Sequence, residues 1–332
     1  MTIPEFLYYL CYSIKKRYVL RNQKRLPHKV ISIGNITLGG TGKTPATIAL
    51  AEEAKKRGFK PCILTRGYKG KAKGPCFVSR GEGPLLDEYQ AGDEAILMAE
   101  KLKGIPIIKA KDRYEAGIFA IQNLNSQILF ILDDGFQHWG LLRDRDILLI
   151  DSINPFGNRR LLPLGPLREP INAINRADIV VITKADAIRN QDLETNSLIK
   201  EIRKYNTGAP ICFAEHRPSK FISTGNTFPL EWAKDKKFFS FCGIGNPHSF
   251  RGTLVSAGVN VTGSKMFRDH FRYRPGDIQT ISMNAKRSGA GWIVTTEKDI
   301  MRLKGLDVPG NLVALAIEFI IDKRFYNEVF NF

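Results

Sequence analysis

Apolar and polar positions follow two patterns along the chain. Ile3, Phe6, Leu7, Leu10, Ile14 and Tyr18 recur at three- and four-residue intervals, the spacing of one helix face. Thr2 and Glu5 form a T-x-x-E capping box that satisfies first-turn N–H groups, and Pro4 stands where a missing donor costs nothing. A helix starts here. Farther on, short apolar runs rich in β-branched residues cover 29–34, 61–65, 105–109, 128–134, 146–151 and 178–183, with helical stretches such as 45–57 between them. Strand alternating with helix predicts an α/β fold with a doubly wound parallel sheet. After about residue 214 the runs change to 238–242, 259–263, 292–295 and 312–317, which predicts a second, smaller α/β domain. The expected division is an amphipathic helix over 1–26, a larger domain over 27–214 and a smaller one over 215–332.

Composition narrows the class. The 332 residues are 43% hydrophobic and 25% charged, enough apolar side chain for a real core and no case for wholesale disorder. Five scattered cysteines without a C-x-x-C pair suggest neither a disulfide framework nor a zinc site, and a reducing cytosol fits. The formal net charge is +17, and residues 1–60 hold twelve Lys/Arg against three Asp/Glu. Something anionic is expected to meet the N-terminal region. The apolar stretch from Phe6 to Ile14 is nine residues, against roughly 20 for a bilayer span, and its basic residues follow rather than precede it, unlike a signal peptide. A helix lying on an anionic membrane surface fits both halves of the pattern. The alternative is an amphipathic helix packed on its own domain. A nucleic-acid arm is disfavoured because no basic–aromatic module follows, so no nucleic-acid partner is expected.

The 29–34 run feeds Asn35-Ile-Thr-Leu-Gly-Gly-Thr-Gly-Lys-Thr44 ahead of a helix, which is the context of a P-loop. Backbone N–H groups of Gly39, Gly40, Thr41 and Gly42 can wrap phosphate oxygens, Lys43 can reach the β- and γ-phosphates, and Thr44 can offer its hydroxyl to Mg²⁺. ATP and Mg²⁺ are the implied ligands. Thr37 stands where the usual motif has its first glycine. The run 128–134 ends in Asp133 and Asp134, as a buried parallel strand delivers carboxylates to a metal at the phosphate edge. Thr183-Lys184-Ala185-Asp186 resembles the N-K-x-D base reader of GTPases and supports a rival reading, a P-loop GTPase of the metallochaperone type. The D-x-x-G switch of a regulatory GTPase is missing after the 128–134 run.

Taken in order, several motifs resemble the tetraacyldisaccharide 4′-kinase family, the lipid A disaccharide kinases of Gram-negative bacteria. They are the 34–45 segment, Leu64-Thr-Arg-Gly-Tyr68, Ala91-Gly-Asp-Glu94, Leu132-Asp-Asp-Gly-Phe-Gln-His138, Leu162-Pro-Leu-Gly-Pro-Leu-Arg-Glu169, Asp269-His270 and Thr295-Thr-Glu-Lys-Asp299. The resemblance implies ATP-dependent phosphorylation of the 4′-hydroxyl of a lipid A disaccharide 1-phosphate precursor, on the cytoplasmic face of the inner membrane. It also implies that Asp93 activates the hydroxyl and that His270 supports it. Read from the residues alone, Asp93 is an exposed helix start or N-cap, and His270 a solvated or structural histidine. Glu169 is a candidate for Mg²⁺ or its waters, or a loop carboxylate paired with Arg168. Asn35, Arg66, Tyr68, Arg113, Gln137 and His138 are candidates for gripping the anionic, sugar-bearing headgroup.

Overall fold

The 29–34 run forms β1 (Val30–Gly34), buried along its whole length, which is why it reads as continuously apolar. The computed structural model describes residues 2–124, 127–187, 192–223 and 225–332. Later strands are β2 (Pro61–Thr65), β3 (Cys76–Ser79), β4 (Ile107–Lys109), β5 (Leu129–Leu132), β6 (Arg145–Asp151), β7 (Ile179–Thr183) and β8 (Ile211–Ser223). Their order is β8-β7-β6-β1-β5-β2-β4-β3. Every pairing is parallel except that of β3 with β4, so β3 is an antiparallel edge. β1 is therefore central, flanked by β5 and β6, and the loop that leaves it emerges at the carboxyl edge, where open α/β sheets bind ligands.

Helices of this unit are α1 (Ile3–Arg21), α2 (Lys43–Lys56), α3 (Glu88–Ala91), α4 (Asp93–Lys101), α5 (Arg113–Asn123) and α6 (Asp192–Arg203). Leu50, Ala51 and Ala54 of α2 and Ile96 and Met98 of α4 join Ile31, Ile63 and Ile131 in one core on one side of the sheet. Ala116 and Ala120 of α5 join Val30, Leu64 and Phe130 in another. Gly34 closes β1 because a Cβ there would stand 2.6 Å from the Cβ of Phe136.

Helix α1 has the predicted capping box, with the Thr2 N–H donating to Glu5 Oε2 at 2.9 Å. Its apolar stripe faces outward. Ile3 is 80% exposed, Ile14 62% and Tyr18 70%, and Phe6, Leu7 and Leu10 are exposed beside them. The inner face is polar instead: buried Glu5 pairs with Arg160 at 3.1 Å, and the hydroxyls of Tyr8 and Tyr12 reach the domain. Arg160 first, then the Thr2 N–H, hold the Glu5 carboxyl down at about 2, a carboxylate bound to its partners.

The second unit, His216–Glu318, holds β9 (Asn226–Pro229), β10 (Lys237–Cys242), β11 (Asn260–Met266), β12 (Trp292–Thr296) and the first part of β13 (Leu312–Ile321). Strands β11-β10-β12-β13 run parallel in that order, and β9 folds back antiparallel on the end of β8. Helices α7 (Pro247–Ser256), α8 (Pro275–Arg287) and α9 (Glu297–Arg302) belong to it, and Phe221, Phe238, Phe250 and Val294 share a core. The chain then returns to the first unit at Phe319–Phe332, where Phe325 and Val329 of α10 (Lys323–Phe330) join the core containing Leu50. The sequence-based grouping takes 215–332 together, whereas here the last residues pack with the first unit; an amphipathic C-terminal helix carries no mark of the core it will join.

Candidate active site

Between β1 and α2 the glycine loop lies open. Gly42 takes a left-handed φ of 84° to turn the chain into α2, and nothing lies within 4 Å of where a Cβ of Gly39 or Gly40 would stand. The Thr41 N–H turns back on the Gly39 carbonyl at 3.1 Å, and the open loop leaves room for phosphate oxygens at the positive end of α2. Lys43 Nζ lies 3.8 Å from Asp134 Oδ1, and Thr44 is buried beside it in sequence. Among the described residues the buried Thr41 hydroxyl has no partner, while the Thr41 carbonyl accepts the Thr183 hydroxyl at 3.1 Å.

Asp133 and Asp134 follow β5 at the same edge. Asp133 is buried and accepts the hydroxyls of Thr47 at 3.3 Å and Thr65 at 3.1 Å. Burial first, then the charges of Glu94 and Asp134, push its carboxyl up to about 6. Asp134 sits at a φ of 49° and takes a two-oxygen grip from Arg168 Nη1, at 2.9 and 3.1 Å. Burial opposes its ionisation, but Lys43 and Arg168 together hold its carboxyl below the usual range.

Around these carboxylates lie most of the residues picked for the headgroup. Arg113 opens α5 and is buried, with Nη1 on the Lys111 carbonyl at 3.1 Å and, among the described residues, no partner for Nε. Burial lowers its pKa, and the charges of Asp133 and Asp134 oppose that shift. His138 Nε2 accepts the Arg113 N–H at 3.3 Å; burial, then the Arg113 charge, bring the imidazole down to about 4, so it is neutral at pH 7. Gln137 donates to the Asn35 carbonyl at 2.8 Å and to Glu169 at 2.7 Å. Asn35 donates to the Thr37 carbonyl at 2.8 Å and leaves its own side-chain oxygen buried without a partner. Arg66 and Tyr68, just past β2, are exposed.

Two expectations change on this geometry. Glu169 is fully buried, and its oxygens are taken by Arg176 at 2.5 and 2.7 Å, by Gln137 and by the Tyr12 hydroxyl at 2.9 Å. Its partner is Arg176, whereas Arg168 serves Asp134. Asp93 is buried rather than exposed, and the N-cap is Gly92; Asp93 is the first residue of α4, its Oδ1 accepting the Glu94 N–H at 3.0 Å. A charged residue after glycine reads as solvent-facing, because the burial comes from the fold around it and not from its neighbours in sequence.

In the second unit His270 sits at a φ of 57°, its N–H on the Gly243 carbonyl at 3.0 Å and its Nδ1 3.3 Å from Arg302. Asp299, the end of the T-T-E-K-D motif, is fully buried and gathers the Gly243 N–H, the Tyr273 and Thr296 hydroxyls and Arg302 within 3.1 Å. That motif is thus a knot fixing the loop that carries His270. Residues missed from sequence are mostly such supports: Thr47, Arg176, Tyr8 and Tyr12. Thr65 and Arg168 stand in quoted motifs, but their role on Asp133 and Asp134 was not read.

Compared with known proteins, the chain matches the family described as tetraacyldisaccharide-1-P 4′-kinase over residues 1–331. It belongs to that family. Relatives named tetraacyldisaccharide 4′-kinase are 41% identical in Syntrophus aciditrophicus, over 85% of this chain and 77% of that one, and 39% identical in Halothermothrix orenii, over 87% and 79%. The Aquifex aeolicus LpxK, solved in complex with ATP, shares 30% identity at a TM-score of 0.77 over 98% of this chain and 96% of its own. As a member of the tetraacyldisaccharide 4′-kinase family the chain is a kinase, and the GTPase reading is not favoured. Geometry agrees, since Lys184 is buried and paired with Asp151 at the end of β6, and Thr183 is spent on the P-loop carbonyl.

Proposed function

We propose that the chain transfers the γ-phosphoryl group of ATP to the 4′-hydroxyl of a tetraacyldisaccharide 1-phosphate, the lipid A precursor, at an anionic membrane surface on its cytoplasmic side. The observation that carries the chemistry is the meeting of the glycine loop, Lys43, Asp133 and Asp134 at one sheet edge. Phosphoryl transfer needs little covalent help from the protein, so positioning and charge neutralisation do the catalysis. N–H groups of 39–44 hold the β- and γ-phosphates, and Lys43 follows the transferring group. Arg113 offers a buried, incompletely bonded guanidinium for the anionic acceptor or the phosphates, with His138, Asn35, Arg66, Tyr68 and Gln137 toward the sugar.

The residues present fit Mg²⁺. Thr44, Asp133 and Asp134 supply hard oxygen donors, and Asp133 is an acid raised by burial and like charge, a setting that a cation relieves. Among the described residues no cluster of three or more His, Cys, Asp or Glu is arranged to hold a metal unaided, as suits an ion bound largely through phosphates and water. Bound there, Mg²⁺ supplies neutralisation of charge on the β- and γ-oxygens. Glu169, already engaged, supports the site rather than ligating.

Asp93 accepts the proton of the sugar hydroxyl late in transfer, and His270, held by Arg302, is the supporting residue that the family resemblance implies. Helix α1 supports the membrane location: its exposed face is the apolar one, and Lys15, Lys16, Arg17 and Arg21 follow along it. No described helix is long and apolar enough to cross a bilayer. The test is phosphate transfer from labelled ATP to the lipid precursor in anionic vesicles. Lys43→Ala, with its fold confirmed by circular dichroism, is expected to lose turnover by orders of magnitude. Near-normal transfer by that variant would sink the assignment.

A further inference from the structure

Helix α1 does more than lie against the domain. Two of its inward hydroxyls grip one short segment, 166–169, and that segment is bonded in turn to the site on two sides. Tyr8 donates to the Arg168 carbonyl at 2.8 Å, and Tyr12 to Glu169 Oε2 at 2.9 Å. On the loop side, Leu38 N–H reaches the Pro166 carbonyl at 2.7 Å and Arg168 N–H the Ile36 carbonyl at 2.8 Å, so the segment is laced to the stretch leading into the glycine loop. On the carboxylate side, Arg168 holds Asp134, and Glu169 fixes Gln137, which also donates to the Asn35 carbonyl. From the inner face of α1 the connection runs through the Tyr8 hydroxyl to the Arg168 backbone and along the Arg168 side chain to Asp134.

Both hydroxyls are suited to that task. Burial, and then the Glu169 charge, raise the pKa of Tyr8 and of Tyr12 above the ordinary value, so both remain protonated donors. Tyr12 is further set by an edge-on contact with Trp139 at 5.4 Å between ring centres, and its oxygen accepts from Lys16 at 3.2 Å. The outward stripe is left for the membrane, while the polar contacts that α1 makes with the domain converge on 166–169 and on Arg160.

We propose that Tyr8 and Tyr12 are positioning residues, through which docked α1 aligns the 166–169 segment and, by way of Arg168, Asp134 of the phosphate site. The face that meets the membrane is thereby coupled to the geometry that meets ATP. This rests on the kinase reading above, deepens it, and predicts that the two hydroxyls act on turnover rather than on location.

The experiment compares wild type, Tyr8→Phe, Tyr12→Phe and Glu5→Gln in the vesicle transfer assay, with thermal stability and vesicle partitioning measured on each. Phenylalanine keeps the ring and the outward stripe and removes only the hydroxyl. Glu5→Gln keeps a capping side chain and weakens only the contact of α1 with the Arg160 side chain, which touches neither Glu169 nor Asp134; the Leu167 N–H on the Arg160 carbonyl, a backbone bond, stays in place. The expected result is a fall in kcat of about threefold or more in both tyrosine variants, with KM for lipid and vesicle partitioning unchanged, while Glu5→Gln loses stability but keeps kcat. A smaller fall in kcat, a loss that appears as raised lipid KM, or losses that track stability across all three variants would overturn the proposal. Failure of the underlying kinase reading looks different: wild type itself transfers no phosphate.

Discussion

Asp133 shows how a single residue can cost stability in the service of chemistry. Its carboxyl is raised to about 6 by burial and by two neighbouring acids. Between the ordinary value near 4 and 6 the folded protein holds a proton that the unfolded chain has released, so stability falls as pH rises through that window. Asp133→Asn removes this penalty. The variant is expected to be more stable than wild type at pH 7, by on the order of 1 kcal/mol without nucleotide, and to lose most turnover. Denaturant unfolding and the transfer assay check the two halves; an active, unstabilised variant would remove Asp133 from the metal site. His138 has the opposite sense. Its folded pKa of about 4 lies below the ordinary 6.5, so the unfolded chain takes up the proton first and stability is lost as pH falls from 6.5 toward 4. At pH 5 that amounts to about 2 kcal/mol, and His138→Gln should flatten the dependence of unfolding free energy on pH across the window. An unchanged slope would show that another group titrates there. Neither environment is written in the local sequence: D-D-G-F-Q-H marks a strand end, and the partners Thr47, Thr65, Glu94 and Arg113 come from other elements.

At the scale of elements, period and capping were legible because they are local. The strand at 61–65 is found to the residue, and all six side chains that the spacing selects in α1 are exposed, with Tyr9 and Leu20 exposed beside them. The direction the stripe faces was not legible, because a packed helix and a surface helix share one period. In the structure the stripe is outward, and this decides what to test. Leu7→Glu with Leu10→Glu is expected to weaken partitioning onto anionic vesicles roughly tenfold or more and raise the KM for bilayer-embedded lipid, while KM for ATP and thermal stability stay put, since both side chains are already in water. A loss of stability would mean that the stripe is covered. Strands β8 and β9 went unread for a related reason: Glu215, His216, Arg217 and Pro218 interrupt the first, and a four-residue antiparallel partner carries almost no pattern. The tyrosines of α1 escaped notice as well, since a hydroxyl on an amphipathic helix points to no partner until the partner is placed.

The whole molecule raises the question of Asp93 and His270, which lie in different units and 177 positions apart in the chain. If the two act on one proton transfer, Asp93→Ala and His270→Ala should each lower kcat far more than they raise the KM for ATP, and the double variant should lose little beyond the worse single one. Kinetic losses that add fully, or that follow thermal stability, would separate the pair. By itself the sequence determined the order of most strands and helices, β3, β8 and β9 excepted, the phosphate loop with its lysine, the carboxylates that follow β5, the basic amphipathic helix and, through motifs in order, the family. These are properties of neighbours in the chain, set by spacing, capping and backbone freedom. Only tertiary structure decided that Arg168 serves Asp134 and Arg176 serves Glu169, that Asp93 is buried, that the apolar stripe of α1 faces out, and that the last residues return to the first core. The reason is physical: burial and charge pairing are sums over groups far apart in sequence, and the chain must fold before those sums exist.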